Sequence, residues 1–315
     1  MTGSGIFFRR FPQRQILGEF LMNRHLQQIR IGLLFLVIIM FSAGTGAGSL
    51  WAAQEPFDYF GSLQKRLIRD GFSTARVQAL YQNPAITFDT RGVSLYFVHN
   101  ESKLNYDQFL ESGPIRRAKQ YMADHKTALT DAEKGYGVSR HVITAIMLVE
   151  TRLGTYVGNR KVISTLSTMA ALEDKAVKTR LWKQLEGETH LSYSAFNTRA
   201  GKKSGWAYRE LKAFLKYAAR EKVNPVNVTG SYAGAMGYCQ FMPSNALTLA
   251  RDGNRDGRID LFSHADAIMS IANYLNHYGW YAGIGEKEAF QVVYHYNHSK
   301  YYVRTVLKIV KRLKG

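Results

Sequence analysis

Glu150 is the residue on which chemistry can most readily be built. Ile143, Ile146 and Met147 precede it at helical spacing, and the same periodicity asks for an apolar residue at 150. A carboxyl group there either has a cation for a partner or has its pKa raised by desolvation. Arg152 and Arg160 are the nearby cations, and a more exposed helix end is a further alternative. A raised pKa is what a general acid needs near neutral pH. The second loaded stretch is Gly230–Ser244, GSYAGAMGYCQFMPS. Its small residues let backbone approach a ligand closely. Ser231 and Gln240 supply a hydroxyl and an amide, and Tyr238 and Phe241 supply rings, a mixture suited to gripping a polar polymer. Cys239 is the one cysteine of the chain. With His295 or His298 as base it forms a rival nucleophile, that of a cysteine peptidase.

A third stretch has metal chemistry. Asp252, Asn254 and Asp256 fill positions 1, 3 and 5 of an EF-hand pattern, with Gly257 at position 6 and Ile259 at the apolar position 8. Ser263 stands where position 12 usually holds Glu. A plain Asp/Gly turn is the alternative.

Three blocks in order carry a family likeness. Val149-Glu150-Thr151-Arg152-Leu153-Gly154 resembles V-E-T-x-x-G, and Gly237–Pro243 is similar to G-Y-G-Q-F-M-P. Tyr296-Asn297-His298-Ser299, followed by Tyr301-Tyr302, resembles a Y-N-H-S motif. Together they resemble the lytic murein transglycosylase B family of the lysozyme-like superfamily, over roughly Tyr106 to Lys308. The resemblance implies a mainly α, lysozyme-like domain of about 120–315, with a metal-loop insert at about 245–266 and an N-terminal helical extension. It also implies cleavage of the β-1,4 bond between N-acetylmuramic acid and N-acetylglucosamine in peptidoglycan. Glu150 is then acid first and base second, and a 1,6-anhydromuramic end forms. Ser231 and Gln240 would bind substrate, Phe241, Tyr274, Tyr296, Tyr302 and Tyr106 would line sugar subsites, and Asn297 would hold substrate or a loop. Asp266 would close the metal loop and Arg258 would lend its carbonyl, making a structural Ca2+ site with Asp252, Asn254 and Asp256. No organic cofactor is expected. Two departures stand out: Lys175 is the nearest match to an Arg pair that binds the stem peptide, and Cys239 replaces a glycine. A muramidase-type hydrolase and a non-catalytic peptidoglycan-binding protein are the alternative readings.

The elements that must position these residues are mostly helices. Ser139 is a good N-cap for a helix that Gly154 closes. Ala265–Tyr278 and Tyr301–Lys314 read as helices, and Lys103–Gly135 as helices with a basic face. Val93–Val98 reads as a short strand. The chain has 315 residues with 42 Lys+Arg against 24 Asp+Glu, a formal charge of +18. That surface seeks a polyanion. Residues 31–42, IGLLFLVIIMFS, follow Arg24 and Arg30 and precede small residues, the order of a secretory signal. Residues 1–53 are thus a signal peptide or anchor, and 54–315 the catalytic region. Five Arg and one Glu lie in 1–53, so removing them leaves +14. Export points to a periplasmic monomer acting on peptidoglycan rather than nucleic acid. An uncleaved leader would tether it to the membrane, and the leader has no cysteine to make it a lipoprotein.

Overall fold

A computed structural model describes residues 57–98, 105–186, 189 and 191–315, which form helices and one two-stranded ribbon. The leader read over 1–53 lies outside the described residues. Among these, no helix is long and apolar enough to cross a membrane.

Helices α1 (Gly61–Arg69), α2 (Thr74–Tyr81) and α3 (Thr90–Val98) come first. The strand expected over Val93–Val98 is the body of α3. Asp89 settles this, because its Oδ1 accepts the Gly92 N–H at 2.9 Å and starts the helix. Capping there outweighs the β-propensity of a β-branched and aromatic run. A 3-10 turn (Asp107–Leu110), α4 (Ser112–Asp124) and α5 (Lys126–Tyr136) lead into α6 (Arg140–Thr151).

Helix α6 determines the position of Glu150. Ser139 caps it as expected, accepting the His141 N–H at 3.3 Å. The apolar stripe, however, is a whole buried cylinder: Val142 to Leu148 are at most 1% exposed. A helix packed on every side is held from every side. Past Leu148, Val149 and Glu150 reach partial exposure before the helix turns off. The exit takes three left-handed residues in a row, Arg152, Leu153 and Gly154, with φ of 51°, 66° and 89°. Two of them are not glycine, a strain of order 1–3 kcal/mol each that surrounding contacts must offset. The Leu153 N–H reaches back to the Met147 carbonyl at 2.9 Å and satisfies the helix end.

Strand β1 (Arg160–Lys161) pairs antiparallel with β2 (Thr229–Gly230), Arg160 opposite Gly230. Between them run α7 (Val162–Ala171), α8 (Lys175–Leu185) and α9 (Tyr193–Arg220). Helix α7 is buried along its whole length and packs on α9. The first helices close over α7: the Tyr81 and Ser167 hydroxyls meet at 2.8 Å, and Thr168 accepts the Asp89 N–H at 2.8 Å. Leu63, Leu67 and Val77 thereby share one core with the later helices. Helices α10 (Pro243–Thr248), α11 (His264–His277), α12 (Glu286–Tyr296) and α13 (Lys300–Lys314) complete the order. Helices α11 and α13 lie within one residue of the spans read from the sequence. Helix α13 packs against α6 and brings the C-terminal residues to Glu150.

Candidate active site

Tyr302, in the first turn of α13, donates its phenol to Glu150 Oε1 at 2.7 Å. The ring is 2% exposed, while Glu150 is half-buried at the end of α6. Burial and the Glu150 charge push the Tyr302 phenol well above its ordinary range, so it stays a donor. The cations considered as partners each hold another group. Arg160 grips Asp89 at 2.7 Å, and Arg152 reaches Gln108 at 3.5 Å. Tyr106 stands edge-on to Tyr302, ring centroids 6.5 Å apart.

The Gly230–Met242 block forms a tight bend next to this helix end. Thr151 ties the two together, donating its hydroxyl to the Tyr238 carbonyl at 2.9 Å while accepting the Gly154 N–H at 3.0 Å. Sequence reading passed over Thr151, although it is the T of V-E-T. Ser231 Oγ accepts the N–H groups of Ala233 and Ala235 at 3.2 and 3.1 Å and shapes its own loop. Gln240 sits at φ 49°, its amide donating to the carbonyls of Gly237 and Val157 at 2.9 and 3.3 Å. Gly237 is required where it stands: φ is 74°, and a Cβ would lie 2.4 Å from Leu261 Cβ. Tyr296 crosses from α12 to donate to the Cys239 carbonyl at 2.5 Å. Asn297 follows as the C-cap of α12.

Besides Tyr302, two further residues expected to line sugar subsites are core residues. Phe241 is 1% and Tyr274 4% exposed. They pack behind the half-buried Tyr296, at 6.0 and 4.8 Å between centroids, because Tyr274 is anchored inward by a 2.8 Å bond to the His295 carbonyl. Cys239 is also fully buried, and burial raises its thiol well above the usual range. A nucleophilic cysteine needs exposure and a thiolate, so the peptidase reading fails.

Residues 58–289 match the family described as Transglycosylase SLT domain. The chain belongs to that family. It is 34% identical over 176 residues to the membrane-bound lytic murein transglycosylase B of Escherichia coli, which covers 56% of this chain and 41% of that protein. The chain thus spans about two fifths of the length of that curated relative. Its fold is similar to the soluble lytic transglycosylase SltB1 of Pseudomonas aeruginosa, with TM-score 0.66, 23% identity and coverage of 80% of this chain and 97% of the other. It is likewise similar to the Escherichia coli lytic transglycosylase Slt35 in complex with calcium, with TM-score 0.64, 22% identity and coverage of 81% and 92%. The fold is therefore the mainly helical, lysozyme-like one of lytic transglycosylases.

The oxygen-rich loop of this family member lies between α10 and α11. Its side chains face the loop's own backbone. Asp252 accepts from Arg255 and Gly257 at 2.6 and 2.8 Å, Asn254 from Asp256 at 3.1 Å, and Asp256 from Arg258 at 2.9 Å. Asp266 is fully buried and accepts three N–H groups, from Gly253, Asn254 and Asp260. Burial raises its pKa, and those three bonds oppose the rise. Among the described residues no three His, Cys, Asp or Glu groups converge as a metal cage. The donors are nonetheless all oxygen, the set that suits a hard cation. The Arg258 guanidinium is bonded to the Glu221 carbonyl at 2.9 Å.

Proposed function

We propose that the chain is a lytic transglycosylase that cuts the β-1,4 bond between N-acetylmuramic acid and N-acetylglucosamine in peptidoglycan strands. The 2.7 Å bond from Tyr302 to Glu150 carries this reading, since it presents one oriented carboxyl at a half-buried helix end. Glu150 gives its proton to the glycosidic oxygen as the C1–O bond breaks. The substrate's acetamido oxygen stabilises the positive centre at C1. The Glu150 carboxylate then takes the proton of the muramyl 6-hydroxyl, whose oxygen bonds to C1 and closes the 1,6-anhydro ring. No water enters, and Glu150 ends protonated as it began.

The remaining roles follow position. Ser231 lies in the bend beside Glu150 and serves the acetamido group. Gln240 bonds the sugar nearest the scissile link by turning its amide from the Gly237 carbonyl. Tyr106 and Tyr296 form the open sides, with Phe241 and Tyr274 as their backing. Asn297 holds the following loop or a sugar hydroxyl. Asp252, Asn254, Asp256, Asp266 and the Arg258 carbonyl would hold a structural Ca2+, which would stiffen the loop feeding α11. The protein works as an exported, periplasmic monomer, and a leader left uncleaved would tether it to the membrane.

Mass spectrometry of digested peptidoglycan tests the reaction. Anhydro ends are expected, hydrated reducing ends would identify a hydrolase, and no products would identify a binding protein. Glu150→Gln keeps shape but removes the transferable proton, so a loss of ~10²–10⁴-fold or more is expected with strand binding retained. Near-normal turnover in that variant overturns the mechanism.

A further inference from the structure

A broad basic surface away from the cleft lies on α8 and α9. Helix α8 carries four cations and no acid, and α9 carries seven cations against one acid, Glu210. Glu210 is buried and occupied by the Ser244 N–H and hydroxyl at 2.9 and 2.8 Å, so it neutralises nothing at the surface. Asp174, just before α8, caps that helix's own N–H groups. Arg180, Lys183, Arg199, Lys202 and Lys216 are exposed.

Aromatic rings are set among these cations. Tyr193 is 45% exposed, and Trp182 and Trp206 are half-buried. Trp182 packs on Tyr193 and Phe196 at 5.4 and 5.3 Å, which joins α8 to the start of α9. The Lys203 ammonium lies 5.2 Å from the Trp206 ring centre. Rings with one apolar and one polar side, interleaved with Lys and Arg, favour the headgroup level of a bilayer.

Where the chain enters the described residues, it meets this surface. Phe57 lies under the Arg180 guanidinium at 4.8 Å, in a shallow depression of about 510 Å³ shared with Lys175 and Lys183. Residues 43–56 separate Phe57 from the apolar run that ends at Ser42. Fully extended, that connection reaches at most ~50 Å. A tethered chain therefore holds Phe57, and the cations around it, within that distance of the bilayer.

We infer that the α8–α9 face docks on anionic phospholipid headgroups. The inference rests on the tethered, exported reading given above and is independent of the Glu150 chemistry. Charge complementarity favours lipid over the wall, because a leaflet of anionic headgroups is a continuous plane of charge. Glycan carboxylates are strung along flexible peptides and offer no such plane.

The test uses the full chain on phosphatidylcholine vesicles, with or without phosphatidylglycerol. The leader inserts in both, so only docking of the face differs between them. Hydrogen exchange over α8 and α9, and quenching of tryptophan by a nitroxide-bearing lipid, report it. Slower exchange and stronger quenching are expected only with phosphatidylglycerol, and both should vanish at about 1 M salt, where the Debye length is about 3 Å. Replacing Lys183, Arg199 and Lys202 by Glu should weaken docking at least about fivefold per site. Anhydro-product formation from soluble glycan fragments should stay unchanged in that variant. Equal protection on both vesicles overturns the inference. So does protection of the same helices by purified sacculi instead of by anionic vesicles.

Discussion

The phenol of Tyr302 reaches Glu150 Oε1 across 152 residues of chain, at 2.7 Å. One helix is buried on all sides, and the other is packed against it. The carboxyl orientation is therefore a property of the whole α6–α13 pair. Tyr302→Phe removes the donor and keeps the ring. Activity should fall about 10–100-fold, chiefly in kcat, since binding surfaces are untouched while the acid loses its orientation. Circular dichroism and melting should stay near wild type. An unchanged kcat would mean that Tyr302 is packing alone.

Gly237→Ala should destabilise the fold by about 2–4 kcal/mol. The left-handed φ of 74° contributes part, and the approach of a new Cβ to Leu261 the rest. Denaturant unfolding measures it. A change under about 0.5 kcal/mol would show that the bend relaxes freely.

Stability should fall in alkali. Burial holds the phenols of Tyr121, Tyr274, Tyr296 and Tyr302 above their ordinary range. In the unfolded chain they lose protons near pH 10. Their contribution is fully present below that pH. Above it the unfolded state binds fewer protons than the folded one, so stability declines as pH rises towards the folded values. Urea midpoints should decline above about pH 10, and Tyr274→Phe should make the decline shallower. A midpoint that is flat through that range contradicts the assignment.

Calcium should raise the melting temperature, because the proposed site exists in the folded loop and not in the unfolded chain. Chelator should lower it, and Asp256→Ala should erase the difference while leaving glycan cleavage measurable. Identical melting with calcium and with chelator would leave the loop as a turn stapled by Asp266.

Much of this arrangement was legible before any coordinates. Ser139, α11 and α13 follow from local rules of capping and periodicity, and the three ordered blocks from their resemblance to a family. Cys239 and Phe241 could not be placed that way. Burial depends on what packs from elsewhere, and the inward anchoring of Tyr274 on the His295 carbonyl is invisible in a linear pattern. Val93–Val98 failed because one Asp side chain outside the run chose helix over strand. The Thr151–Tyr238 link was missed for a related reason. Its signal is a single hydroxyl, and its acceptor is a backbone carbonyl 87 residues away.

The Tyr302 hydroxyl that meets Glu150 belongs to α13, a helix 15 residues long and far from α6 in sequence. A contact of such separation closes a long loop and cannot form from local structure. A partly folded chain that already holds α6 therefore lacks the oriented carboxyl, which arrives only with the tertiary fold.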